Sequence, residues 1–148
     1  FLWDDYAPAP YREVDFEYAR WGNAADPTCA QFVVQPYETP GNLQRYAVDL
    51  SEGAADLTHT LEWREGALRW AVYRGLRTFA GGLPESARIA GWEYAGSGVP
   101  TPGYENFRIN YWISGEPPAD APEGYEILVP LFEYAAPAEA GENFWCLY

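Results

Sequence analysis

Residues 13–17 read Glu-Val-Asp-Phe-Glu, so three carboxyl groups alternate with apolar side chains at a period of two. In a β-strand this period puts Glu13, Asp15 and Glu17 on one face and Val14, Phe16 and Tyr18 on the other. Aligned like charges repel, and an ordinary solvated strand face mixes in Thr, Lys or Arg. Two cooperating carboxyl groups, one protonated and one ionised, are what cleavage of a glycosidic bond requires. Three carboxylates this close cannot all ionise cheaply, so one is expected to carry a raised pKa.

Such a run needs strands to hold it, and the rest of the chain supplies them. Seven Trp, twelve Tyr and seven Phe favour strands, and fourteen Gly and thirteen Pro punctuate short segments. The pattern predicts an all-β sandwich or barrel of one domain, large enough at 148 residues to bury a sizeable core. Expected strands are 1–3, 13–20, 30–35, 43–49, 77–83, 107–114 and 125–134. A hairpin joins 58–63 to 67–73 through Arg64-Glu65-Gly66. The stretch 88–105, with six Gly and Pro, reads as a long loop, and 115–124 as a Pro-rich acidic connection.

The formal net charge is −13, and all nine basic residues are Arg. This balance repels phosphate, which argues against nucleic acid and anionic membranes as partners and suits neutral carbohydrate. Solubility alone accounts for the acidity equally well. No apolar run approaches the roughly 18 residues of a membrane span. The chain opens on Phe1 rather than Met, which reads as a processed or truncated start, and no leader-like segment stands there. Cys29 and Cys146 either form one disulfide or stay free. One His and two Cys do not make a zinc site.

The acidic run resembles the active-site signature of glycoside hydrolase family 16: Glu, aliphatic, Asp, aliphatic or aromatic, an optional residue, then Glu. Here the optional residue is missing. Family members carry further on a segment resembling His-Thr-x-x-x-x-Trp, then Ile-x-Trp-Tyr-Val-Asp-Gly. This chain has His59-Thr60-Leu61-Glu62-Trp63 and Leu68-Arg69-Trp70-Ala71-Val72-Tyr73-Arg74-Gly75. A later Met-Asn-Leu-Trp strand is similar to Arg108-Ile109-Asn110-Tyr111-Trp112-Ile113-Ser114-Gly115, and a closing strand to 128–134. Ala71 and Arg74 depart from the family, which usually has an aromatic and an acidic residue there.

The resemblance implies a concanavalin-like β-jelly roll, with residues 1–135 forming the second half of such a domain and 136–148 a C-terminal tail. These folds usually run to roughly 200–250 residues. The N-terminal strands therefore count as missing, and another chain or fragment is expected to complete the sheets. The implied activity is retaining hydrolysis or transglycosylation of a β-linked polysaccharide outside the cell. Glu13 would be the nucleophile, Glu17 the proton donor and acceptor, and Asp15 the residue that tunes both. Retention needs carboxyl groups roughly 5–5.5 Å apart. Residues i and i+4 of a strand stand about 13 Å apart, so the two Glu arms must lean together.

Trp21 and Trp112 either stack on sugar rings or fill core, and Asn110 either binds a sugar hydroxyl or satisfies a neighbour. His59, the sole histidine, is expected in a structural hydrogen bond rather than in catalysis. No cofactor is implied beyond the structural calcium that often accompanies the family, and no residue set here marks its site. A non-catalytic carbohydrate-binding module, or a subunit of an extracellular assembly, is the alternative reading.

Overall fold

The computed structural model describes residues 1–51, 56–113, 115 and 126–135, and the backbone alone of 142–147. Ten strands are present among them: β1 (Leu2–Trp3), β2 (Val14–Tyr18), β3 (Ala30–Val34), β4 (Leu43–Tyr46), β5 (Leu57–Arg64), β6 (Ala67–Arg74), β7 (Arg88–Ala95), β8 (Asn106–Phe107), β9 (Phe132–Ala135) and β10 (Glu142–Leu147). They form two antiparallel five-stranded sheets, ordered β4-β3-β2-β1-β8 and β7-β6-β5-β10-β9. The class is an all-β sandwich. No helix among the described residues is long and apolar enough to cross a membrane.

Alternation decides which side chains meet between the sheets. Leu2, Val14, Ala30, Phe32, Val34 and Tyr46 of the first sheet pack against Leu57, Leu61, Trp63, Leu68, Trp70 and Val72 of the second. Phe32 stacks on Trp70 with ring centroids 6.0 Å apart, and Trp70 on Trp92 at 4.9 Å. Side chains of this size carry most of the apolar burial, and truncating one to Ala typically costs about 3–5 kcal/mol. The hairpin β5–β6 pairs from Leu57↔Arg74 to Arg64↔Ala67. Its two-residue turn is possible because Gly66 takes a φ of 74°.

The structure departs from the sequence expectation in four places. The first half of the expected loop 88–105 is β7, the edge of the second sheet, paired with β6 from Ala67↔Ala95 to Tyr73↔Arg88. At Gly91 the Arg88 guanidinium lies where a Cβ would stand. No strand forms over 77–83, where the chain turns back across the second sheet. Among the described residues of 107–114 and 125–134, only Phe107 and 132–134 are in strands, as parts of β8 and β9. β8 pairs with the two residues of β1 and gains no longer ladder. Within the stretch expected as a tail, Glu142–Leu147 runs between β5 and β9. Apart from Gly115, the 115–124 connection lies outside the described residues, as does the side chain of Cys146. Cys29 is a buried thiol whose Sγ donates to the Val48 carbonyl at 3.3 Å.

Candidate active site

β2 is the central strand of the first sheet, with β3 along one side and β1 meeting it at Leu2↔Val14. Its inner face carries Val14 and Phe16 into the core. Strand alternation then turns Glu13, Asp15 and Glu17 to the outer face, as the period-two pattern predicts. The chain enters β2 through a tight turn, in which the Glu13 N–H donates to the Pro10 carbonyl at 3.1 Å. The Glu13 carbonyl accepts from the Gln35 N–H at 3.0 Å, which fixes where its carboxyl emerges.

The three carboxyl groups stand in different surroundings. Asp15 is 2 % exposed and accepts one hydrogen bond from Gln35 Nε2 at 3.0 Å. Burial pushes its carboxyl well above the usual range, and the neighbouring Glu13 and Glu17 charges push the same way. Glu13 is also raised, first by burial. The hydrogen bond it shares with Asp15 pulls it part of the way back, while Glu17 adds to the rise. The upward shifts fall on Asp15 and Glu13.

Glu17 has a donor of its own. Register sets it opposite Gln31 of β3, and Gln31 opposite Arg45 of β4. Gln31 Nε2 donates to Glu17 Oε2, and Arg45 Nη1 donates to Gln31 Oε1 at 2.6 Å. Gln31, Gln35 and Arg45 were not singled out from the sequence. Gln31 did carry a signal, being the one polar residue within the buried run Ala30–Val34. Gln35 and Arg45 needed the strand register to be known.

Trp21 follows β2 in a turn, with a φ of 49°. Its ring lies 6.4 Å from that of Trp112, tilted by 52°, although the two are far apart in sequence. They are 55 % and 62 % exposed, so neither fills core. Asn110 is exposed two residues before Trp112. The structure therefore brings Trp21 and Trp112 together at the far end of β2, beyond Glu17, in a position from which aromatic faces reach solvent.

His59 lies on β5 of the second sheet, facing β2. Its Nε2 is 2.5 Å from the Tyr18 hydroxyl, and the Tyr46 hydroxyl donates to Tyr18 at 3.5 Å. Burial lowers the His59 pKa to about 4 and raises that of Tyr18 to about 12, so a neutral imidazole accepts from the tyrosine O–H. This is a structural hydrogen bond between the sheets.

A cavity of about 530 Å³ lies over the second sheet, bordered by Glu62, Arg69, Tyr73 and Phe79, and no acidic residue of β2 lines it. Among the described residues no group of three or more His, Cys, Asp or Glu is arranged to hold a metal ion. Comparisons with protein-family models, with curated proteins and with solved structures found no match.

Proposed function

We propose that the chain belongs with glycoside hydrolase family 16. It would be a retaining, endo-acting hydrolase or transglycosylase of a β-linked polysaccharide, built on a concanavalin-like jelly roll and acting outside the cell. The observation that carries this reading is the outer face of β2. There Glu13, Asp15 and Glu17 share one strand face, with buried Asp15 held by Gln35 and Glu17 held by Gln31.

In the first step a Glu13 carboxylate oxygen bonds to the anomeric carbon as the glycosidic C–O bond breaks. The leaving oxygen takes a proton from Glu17. In the second step ionised Glu17 removes a proton from water or from an acceptor sugar hydroxyl. That oxygen attacks the anomeric carbon from the opposite side and releases Glu13. Asp15, between Glu13 and Glu17, tunes their protonation and holds Glu13 in place. Trp21 and Trp112 offer apolar surfaces to sugar faces along the line of the strand.

The test is release of reducing ends from mixed-linkage and 1,3-β-glucans, with the anomeric configuration of the first product followed by NMR. Retained configuration supports the reading, and no release from any β-linked glucan or galactan overturns it.

One observation favours a second reading. Ile109, Tyr111, Trp112 and Ile113, with Leu128 and Phe132, are large apolar residues left exposed. Exposed apolar surface of this kind suits a strand-completing neighbour, as in a subunit of an extracellular assembly. Concentration-dependent association without hydrolysis would favour it. Polysaccharide binding without either would favour a carbohydrate-binding module.

A further inference from the structure

Glu17, Gln31 and Arg45 stand at one level across three adjacent strands, and the chemistry of the outermost determines how the innermost is met. Arginine is a donor only, so the Gln31 oxygen must face it. The Gln31 NH₂ is then forced toward Glu17. A free glutamine amide has no such constraint, since it can present oxygen or nitrogen by turning over.

Arg45 is itself held from several sides. Its Nε donates to Thr28 Oγ1 at 2.7 Å, and its Nη2 donates to the carbonyls of Ala19 and Thr28 at 3.1 and 3.0 Å. Nη2 also pairs with Asp26 Oδ2 at 3.1 Å. Asp26 is in turn fixed by the Thr28 N–H at 2.8 Å and the Thr28 hydroxyl at 2.6 Å. Because Ala19 lies just beyond β2 and Thr28 just before β3, the guanidinium also pins the connection that joins the two strands.

We propose that Arg45 is a positioning residue that acts on Glu17 through Gln31. It locks the amide so that a donor always faces the carboxyl group, and so fixes the direction in which Glu17 offers its other oxygen to a ligand. This inference rests on the role given to Glu17 above. Its first test is chosen to be independent of turnover.

In protein labelled with ¹⁵N, the Gln31 side-chain amide gives two separate, slowly exchanging proton signals, one shifted downfield by its carboxylate partner. Glu17→Gln removes that downfield shift. Arg45→Met also removes it and speeds exchange of the amide protons roughly tenfold, because the amide is free to turn. Arg45→Lys does not restore it, since a point-charge ammonium cannot hold the amide, the hydroxyl and two carbonyls together. An unchanged Gln31 signal in Arg45→Met overturns the proposal.

In turnover, Gln31→Leu keeps every bond of Arg45 to Ala19, Asp26 and Thr28. It should lower kcat about tenfold while leaving KM within about twofold and thermal unfolding near that of the parent. It serves as the reporter where Arg45→Met fails to fold, and a parental kcat in a folded Gln31→Leu variant overturns the proposal. If the parent protein hydrolyses nothing, the functional reading fails, and the amide signals alone decide whether the relay exists.

Discussion

Asp4 and Asp15 are equally buried, at 1 % and 2 % exposed, yet their carboxyl groups are driven in opposite directions. Burial pushes both upward. Asp4 overcomes it by accepting the Tyr6 N–H at 2.9 Å, the Tyr104 N–H at 3.4 Å and an Arg12 guanidinium nitrogen at 3.0 Å, and it ends below the usual carboxylate range. Asp15 has one amide donor and two acidic neighbours, and it ends far above that range. Burial therefore does not decide whether a carboxyl group is charged; the donors and charges around it do. Asp4 ties the chain start to the 103–104 turn, whereas Asp15 is left with a raised pKa beside two other acids.

The largest effect that sharpens this contrast is expected at the acidic face itself. Glu13→Gln keeps the shape of the side chain and removes its nucleophilicity, so turnover of a β-glucan should fall at least about 10³-fold. Circular dichroism and thermal unfolding should stay those of the parent. Retained hydrolysis in that variant breaks the assignment of Glu13.

Next comes His59, a half-buried titratable group and the only basic one of the three. Its folded pKa of about 4 lies below the usual 6.5, so its contribution to stability is complete above pH 6.5 and is lost as pH falls toward 4. The loss amounts to about 3 kcal/mol by linkage. Urea unfolding of His59→Gln and the parent across this window isolates it. The difference between the two curves should change with pH, and parallel curves would show that His59 is not held neutral.

The smallest effects separate the two aspartates. Asp15, raised, favours folding most below its unfolded pKa near 3.8, and that contribution disappears as pH rises through its folded value. Asp15→Asn should therefore raise the unfolding midpoint at pH 7 by a few degrees, equivalent to about 1 kcal/mol. Asp4, lowered, contributes above pH 3.8 and loses that contribution as pH falls through its lower folded value. Asp4→Asn should lower the midpoint at pH 7. Shifts of the same sign in scanning calorimetry would erase the contrast.

Where one face is buried and the other wet, the sequence spoke clearly. Period two exposed the two faces of β2, and alternation around Glu65-Gly66 located the hairpin of β5 and β6. β7 was hidden because Gly91 and the Gly and Pro residues after it read as loop. The Arg88 side chain lying across Gly91 is seen only in the structure. The stretch 107–114 has strand composition but extends only as far as β1 gives it a partner. In the site, the acids were legible from their types and spacing. Their inequality was not, because Gln35 and the Gln31–Arg45 pair reach them from other strands.

The strand order carries a consequence for the route to this structure. β2, β3 and β4 are neighbours in both sequence and sheet, as are β5, β6 and β7, so each triplet can form from short loop closures. β1 meets β2 locally, but its other flank waits for β8, as the free flank of β5 waits for β10, each arriving from a distant part of the chain. Two quick meanders followed by two slow closures is the kinetic sequence this topology favours. Until β10 docks, the flank of β5 stays an open edge carrying backbone donors and acceptors. A chain emerging from the ribosome would hold its acidic strand in place early, and would be most prone to pair with other chains while that second sheet stands open.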